Sequence, residues 1–155
     1  MVEREEREFG DVTVRPAAGR ATVRLRIPAK AEYIALCRLA LGGLGELRRL
    51  DDETTADLKL ALTEAVSNSV RHAYGPEAGG HVDVTYALDA ERMAVEVVDD
   101  GAGFDPDEPP SVTGNGISEG GLGIAIIRAI ADELEIDSRP GRRGSRLRFV
   151  KLLAS

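Results

Sequence analysis

Two neighbouring stretches of this chain alternate between apolar and polar residues with almost nothing between them. Val82, Val84 and Tyr86 share one side of His81 to Leu88, the alternation resumes from Met93 to Val98, and Asp89-Ala90 lies in the gap. A period of two belongs to a half-buried strand, and so short a link brings the second strand back beside the first in the antiparallel sense. A parallel pair would need a crossover of a dozen or more residues. The far end of the chain repeats the device, with strands at about Glu135 to Ser138 and Ser145 to Leu152 flanking Pro140-Gly141-Arg142-Arg143-Gly144, a turn signal. The order is therefore not the βαβα alternation of a doubly wound parallel sheet.

Helical periods fill the space between strands. Val23, Leu25 and Ile27 alternate with Thr22, Arg24 and Arg26 until Pro28, which stops the strand and suits the first turn of a helix. From Ala29 to about Leu41, Tyr33, Leu36, Cys37 and Ala40 recur at helical spacing, and Gly42, Gly43 and Gly45 are expected to loosen the chain after them. The longest helix opens at Asp51-Asp52-Glu53, whose charges favour the positive end of the helix dipole, and runs to about Tyr74 before Gly75-Pro76. A third spans Ile124 to about Leu134, with Ile127, Ile130 and Ala131 as core candidates. The expected fold is α+β: a two-layer sandwich whose mixed, mostly antiparallel sheet carries helices packed on one face. Residues 1–20 hold few apolar positions and are punctuated by Pro16 and Gly19, so they read as an N-terminal arm able to add an edge strand. Residues 21–155 read as one domain, and a chain of 155 residues can bury about 68–70% of its unfolded surface without staples.

Several function classes drop out on composition. The single cysteine, Cys37, allows no internal disulfide and sits in an apolar stripe as core, while His72 and His81 alone make no zinc set. His72 reads as structural. No apolar run approaches the roughly 18 residues of a membrane span, and the start MVEREEREFG is charged where a signal peptide is apolar. No membrane association and a cytoplasmic location are expected. The net charge of −7 opposes direct nucleic-acid binding. Glu3, Glu5, Glu6 and Glu8 crowd one end, and Arg139, Arg142, Arg143, Arg146, Arg148 and Lys151 the other. The latter group reads either as a solvated fringe or as a docking surface for an acidic protein.

Three short patterns carry chemistry when taken in order. On the long helix, Leu58, Leu62, Ala65, Val66, Ser69 and Ala73 form an apolar stripe, while Glu64, Asn68 and Arg71 gather on another side. Four residues advance a helix about 40° beyond a full turn, so Glu64 and Asn68 can share one ligand. After the strand ending at Val97-Val98 comes Asp99-Asp100-Gly101-Ala102-Gly103, a carboxylate followed by glycines where backbone approaches something closely or takes positive φ. No helix follows it directly, which removes a dinucleotide fingerprint. A loop of about 20 residues, Asp99 to Gly120, has the length of a functional lid. Gly120-Gly121-Leu122-Gly123 then leads into a helix, where unpaired amides can receive phosphate oxygens; without Gly-Lys-Ser/Thr it is no P-loop.

Leu62 to Tyr74, Val97 to Phe104 and Glu119 to Ile124 resemble, in order and spacing, the N box and the two glycine boxes of the gyrase, heat-shock chaperone, histidine kinase and mismatch-repair ATPase (GHKL) superfamily. The resemblance covers about Ala21 to Leu152 and is nearest in type to the anti-sigma factor serine/threonine kinases. It implies ATP and Mg²⁺ as cofactors. By position, Asn68 holds the metal against the phosphates and Asp99 accepts a hydrogen bond from the adenine amino group. Gly101 and Gly103 let the base approach backbone, and Gly121, Leu122 and Gly123 line the phosphate chain with their amides. Glu64 takes the place of the general base, Arg71 that of a basic residue reaching the phosphates, and Ser145 that of a late Gly-Thr pair touching adenine through water. Many histidine kinases carry Asn where Glu64 stands.

The resemblance further implies a homodimer that silences a sigma factor and phosphorylates a serine on an anti-anti-sigma protein. One departure keeps a second reading open. Some of these kinases carry a lid arginine, yet no Arg or Lys occurs between Gly103 and Arg128, and a missing cation removes one means of stabilising developing charge. The alternative is a nucleotide-responsive binding module with little or no kinase activity.

Overall fold

The computed structural model describes residues 11–17, 19–73, 80–107, 112–113, 116–117 and 119–153. Eight strands and three α-helices follow in the order β1 (Asp11–Ala17), β2 (Arg20–Pro28), α1 (Ile34–Leu47), α2 (Asp52–Ala73), β3 (His81–Leu88), β4 (Arg92–Asp99), β5 (Val112–Thr113), β6 (Gly116–Ile117), α3 (Glu119–Ile130), β7 (Glu133–Asp137) and β8 (Ser145–Leu152). Six of the strands form one sheet in the order β1-β2-β3-β4-β8-β7. Every pairing in it is antiparallel, so the room left for a mixed sheet is not used. Both hairpins read from the sequence are present, with Asp89 closing the β3–β4 turn by accepting the N–H groups of Glu91 and Arg92 at 2.8 and 3.0 Å.

Register explains the layering. Val23, Tyr86, Val95, Phe149 and Leu134 stand in one row across the sheet, and Leu25, Val84, Val97, Leu147 and Ile136 in the next. These rows, together with Leu58, Ala61, Leu62, Ala65 and Val66 of α2, Leu41 and Leu44 of α1, and Ile124 and Ile127 of α3, make one core. Each fully buried aliphatic or aromatic side chain there contributes about 1.5–3 kcal/mol. The opposite face of the sheet carries cross-strand charges, including Arg146 to Glu96 at 2.8 Å and Asp83 to Arg24 and Arg26 at 3.7 Å each. Burial of Cys37 pushes its thiol up to about 11, and its carbonyl accepts the buried Tyr86 hydroxyl at 2.7 Å. Cys37 is core, as its place in the stripe indicates.

Three boundaries differ from the expectations, whereas the N-terminal arm does supply an edge strand: β1, from Asp11, pairs along its whole length with β2. Pro16 fits there because an edge strand needs no ladder donor on its outer side. Helix α1 does not loosen at Gly42, Gly43 and Gly45 but runs through them. A Cβ on Gly42 would lie 3.2 Å from the Lys59 side chain and one on Gly45 3.2 Å from Thr55 Oγ1, so two of these glycines let α1 lie close against α2. Helix α1 ends where Arg49 turns to φ 53°, with Arg49 N–H donating to Glu46 O at 3.2 Å and Leu50 N–H to Gly45 O at 2.9 Å, a Schellman closure without the usual glycine. Finally, α3 starts at Glu119, earlier than Ile124, and Leu134 belongs to β7. The stop proposed at Gly75-Pro76 lies outside the described residues, as do Glu3, Glu5, Glu6 and Glu8.

Candidate active site

Helix α2 is nucleated by Asp51, whose carboxylate accepts the Thr54 N–H at 2.7 Å while its carbonyl accepts Thr55 N–H at 3.0 Å. The buried stripe from Leu58 to Val66 then fixes the rotation of the helix against β3, β4 and β8. That rotation carries Asn68 and Ser69 inward, to 3% and 4% exposure. A carboxamide at that depth costs free energy unless something bonds it. Glu64, one turn earlier, is half-buried. Its Oε2 lies 2.8 Å from where a Cβ of Gly123 would be, so Glu64 and the start of α3 are brought together.

Asp99 ends β4 in the inward row formed with Val82 and Ser145. It is 6% exposed, and both oxygens are held: Oδ1 accepts the Gly101 N–H at 3.0 Å and Oδ2 the Ser145 hydroxyl at 2.5 Å. A carboxylate offers about four lone-pair directions, so two bonds orient it and leave capacity for an amino donor such as that of adenine. Gly103 adopts φ 78°, and a Cβ there would meet Arg139 O at 2.2 Å; here the glycine is obligatory. Asp99, Gly101, Gly103 and Ser145 thus form one cluster, as the motifs imply.

The glycines at the α3 start fall inside its first turns and not ahead of it. The first four N–H groups at a helix start lack intrahelical partners, and by position that of Gly121 stands among them, with Leu122 and Gly123 next along the helix. Gly123 also leaves space for the Glu64 carboxylate. The Leu122 side chain is 42% exposed. Arg71 lies exposed on α2 beyond Asn68, and the His72 side chain lies outside the described residues. Within the long loop, β5 and β6 pair as a short ribbon, while the remainder of the lid expectation, at 108–111, 114–115 and 118, lies outside the described residues. Arg128, the first cation after Gly103, sits on α3 with its guanidinium 4.0 Å from Asp107.

A groove beside Asp99 opens on the outer face of the sheet among Arg26, Asp83, Val98, Asp100 and Arg143. Asp99 lines it as well, while Glu64 and Asn68 take no part in it. The basic C-terminal end is also largely matched by carboxylates: Arg142 with Asp137, Arg143 with Asp100 at 3.0 Å, Arg146 with Glu96, and Lys151 with Asp132 at 3.9 Å. That pairing favours the solvated fringe over an open docking surface. Among the described residues no three His, Cys, Asp or Glu side chains converge as a metal site. Mg²⁺ bound through one or two side chains plus phosphate oxygens needs no such cage, and the buried Asn68 carboxamide fits that sparse donor set.

Five polar residues are buried among the described residues: Asn68, Ser69, Asp99, Ser138 and Ser145. Three of them were singled out from the sequence. Ser138 was not, since a serine closing a short strand carries no spacing signal; its hydroxyl accepts the Phe104 N–H at 2.9 Å, across 34 positions of sequence.

Comparison with known proteins identifies the family. Residues 27–151 match the family described as the histidine kinase-like ATPase domain. The chain is 35% identical over 127 residues to the serine-protein kinase RsbW of Bacillus velezensis, covering 77% of this chain and 79% of the relative. It is 34% identical over 122 residues to RsbW of Listeria monocytogenes, covering 74% and 78%. A crystal structure of the RsbU and RsbW domains of a Mycobacterium tuberculosis protein superposes with a TM-score of 0.60 at 22% identity, over 85% of this chain and 33% of that larger one, and shares the fold. No helix among the described residues is long and apolar enough to cross a membrane. Matched by that family model over residues 27–151 and 34–35% identical to serine-protein kinases over 74–77% of its length, the chain belongs to the histidine kinase-like ATPase family and, within it, to the serine-protein kinase group.

Proposed function

We propose that this chain is an ATP-dependent serine kinase that acts as an anti-sigma factor, holding a sigma factor and phosphorylating an anti-anti-sigma protein as a homodimer in the cytoplasm. The observation that carries the reading is Glu64, half-buried one turn before the buried Asn68 and with its carboxylate against Gly123 at the start of α3. Asp99, oriented by Gly101 and Ser145, receives the adenine amino group. Asn68 holds Mg²⁺, which when bound neutralises charge on the phosphates. The α3 entry at Gly121 and Leu122 supplies amides and the positive end of its dipole to the same groups. Arg71, exposed beyond Asn68, supplies a cation toward the phosphates from the helix.

Glu64 then acts as general base, taking the proton of a partner's serine hydroxyl as its oxygen attacks the terminal phosphorus and the bond from that phosphorus to the β–γ bridging oxygen breaks, releasing ADP. The identity of the relatives as serine-protein kinases speaks against a binding module without turnover. Sigma factor and anti-anti-sigma protein enter through the family resemblance. The test is transfer of labelled phosphate from ATP to candidate anti-anti-sigma proteins by the wild type and by Glu64→Gln. Label should reach a serine with the wild type and fall at least about a hundredfold with the variant. ATP binding without any transfer would sink the kinase reading.

A further inference from the structure

Ser138 lies just past the end of β7 and is 6% exposed. Among the described residues it is the one buried polar side chain outside the three motifs and the late glycine–serine pair. Its Oγ accepts the N–H of Phe104 at 2.9 Å, at the point where the Asp99–Gly103 turn ends. The segment that follows Ser138 grips the same turn twice more. Gly144 N–H donates to Gly101 O at 2.7 Å, and Gly103 backs so closely onto the carbonyls of Arg139 and Arg142 that a Cβ would lie 2.2 and 2.7 Å from them. An outer pair, Arg143 to Asp100 at 3.0 Å, has its side chains 80% and 70% exposed, and contacts so open to water hold little. The Asp99 turn is therefore fixed at its middle by Gly144 and at its far end by a buried hydroxyl.

We propose that Ser138 is a positioning residue of the nucleotide site, acting through the Phe104 amide to hold the Asp99–Gly103 turn in its binding shape. The proposal rests on the reading that this turn receives adenine. Removing the hydroxyl leaves the half-buried Phe104 N–H without that acceptor, and the turn loses a hold at its Gly103 end. The turn binds the base and not the phosphates, so ATP and ADP should lose affinity alike.

The experiment uses the full chain as wild type, Ser138→Ala and Ser138→Thr. Calorimetry with Mg-ATP and Mg-ADP should show both affinities falling about tenfold for Ser138→Ala and staying within about twofold of wild type for Ser138→Thr, which keeps the acceptor. Amide exchange at Phe104 should quicken about tenfold in Ser138→Ala alone. Equal affinity of wild type and Ser138→Ala overturns the proposal, as does an equal loss in both variants or unchanged exchange at Phe104. Wild-type protein that takes up neither nucleotide overturns the adenine reading itself and this proposal with it.

Discussion

The Glu64 carboxylate occupies the space where a side chain at position 123 would begin, with Oε2 2.8 Å from the Cβ position of Gly123. An alanine there is not ruled out by the fold, because what it meets is the far end of a flexible side chain. Alanine also improves helix propensity over glycine by about 1 kcal/mol. Gly123→Ala should therefore leave the melting temperature within a few degrees while swinging Glu64 away from its station. Misplacing a catalytic group by about 1 Å can cost a hundredfold, so phosphotransfer should fall between about tenfold and a hundredfold with ATP affinity little changed. Unchanged turnover would show that the contact has no bearing on catalysis.

Asp99 offers a cleaner separation of binding from stability than most buried acids. Its two bonds, from Gly101 N–H and the Ser145 hydroxyl, can both be kept by an asparagine that turns its oxygen to the amide and its NH₂ to the serine oxygen. The adenine amino group, the donor, is then faced with a less suitable group. Asp99→Asn should fold with a loss of at most about 1–2 kcal/mol and bind ATP at least about tenfold more weakly, with the preference for ATP over GTP diminished. Unchanged affinity for both nucleotides in calorimetry would remove Asp99 from the adenine site.

The strands were legible because burial alternates along them: His81–Leu88 and Arg92–Asp99 carry their pattern on the surface of the sequence. Glycine conceals the continuity of the helices. Gly42, Gly45 and Gly123 look like breaks, yet each lies inside a helix with a side chain of α2 close by, that of Lys59, Thr55 and Glu64 in turn. A close approach between residues of different helices leaves no local mark. The same holds for Ser138, whose meaning lies in an amide 34 positions away. β1 was harder than β2 for a different reason: Val12 and Val14 are 62% and 59% exposed, so its alternation is backed by little burial.

Three surface carboxylates contribute to the acid limb of stability. Asp51 is held below the ordinary 3.8 by the Thr54 hydroxyl and N–H, Asp89 by the N–H groups of Glu91 and Arg92, and Asp137 by Arg142. A carboxyl more acidic in the folded than in the unfolded chain stabilises the fold above its unfolded value and loses that contribution as pH falls through its folded one. Melting temperature should be nearly flat from pH 7 to about 5 and decline below about pH 4. The triple variant Asp51→Asn, Asp89→Asn, Asp137→Asn should melt slightly lower at pH 7 and show a shallower decline. An identical acid slope in the two proteins would place the proton uptake elsewhere.

The two interhelical glycines of α1 should respond in opposite directions to enlargement. A Cβ on Gly42 meets only Lys59 Cε and Nζ, each at 3.2 Å, and a lysine end moves freely. Gly42→Ala should gain most of the helix-propensity difference, raising stability by about 0.5–1 kcal/mol. Gly45 is buried, and its Cβ would press on Thr55 Oγ1 at 3.2 Å and Cγ2 at 3.6 Å, on a β-branched residue stiff about χ1. Alanine there gains propensity but strains the contact; a leucine has nowhere to go and forces α1 off α2. Gly45→Leu should cost about 1–3 kcal/mol, read as a lower urea midpoint at an unchanged slope. Equal tolerance of Gly42→Ala and Gly45→Leu would mean that the α1–α2 contact is looser than this packing requires.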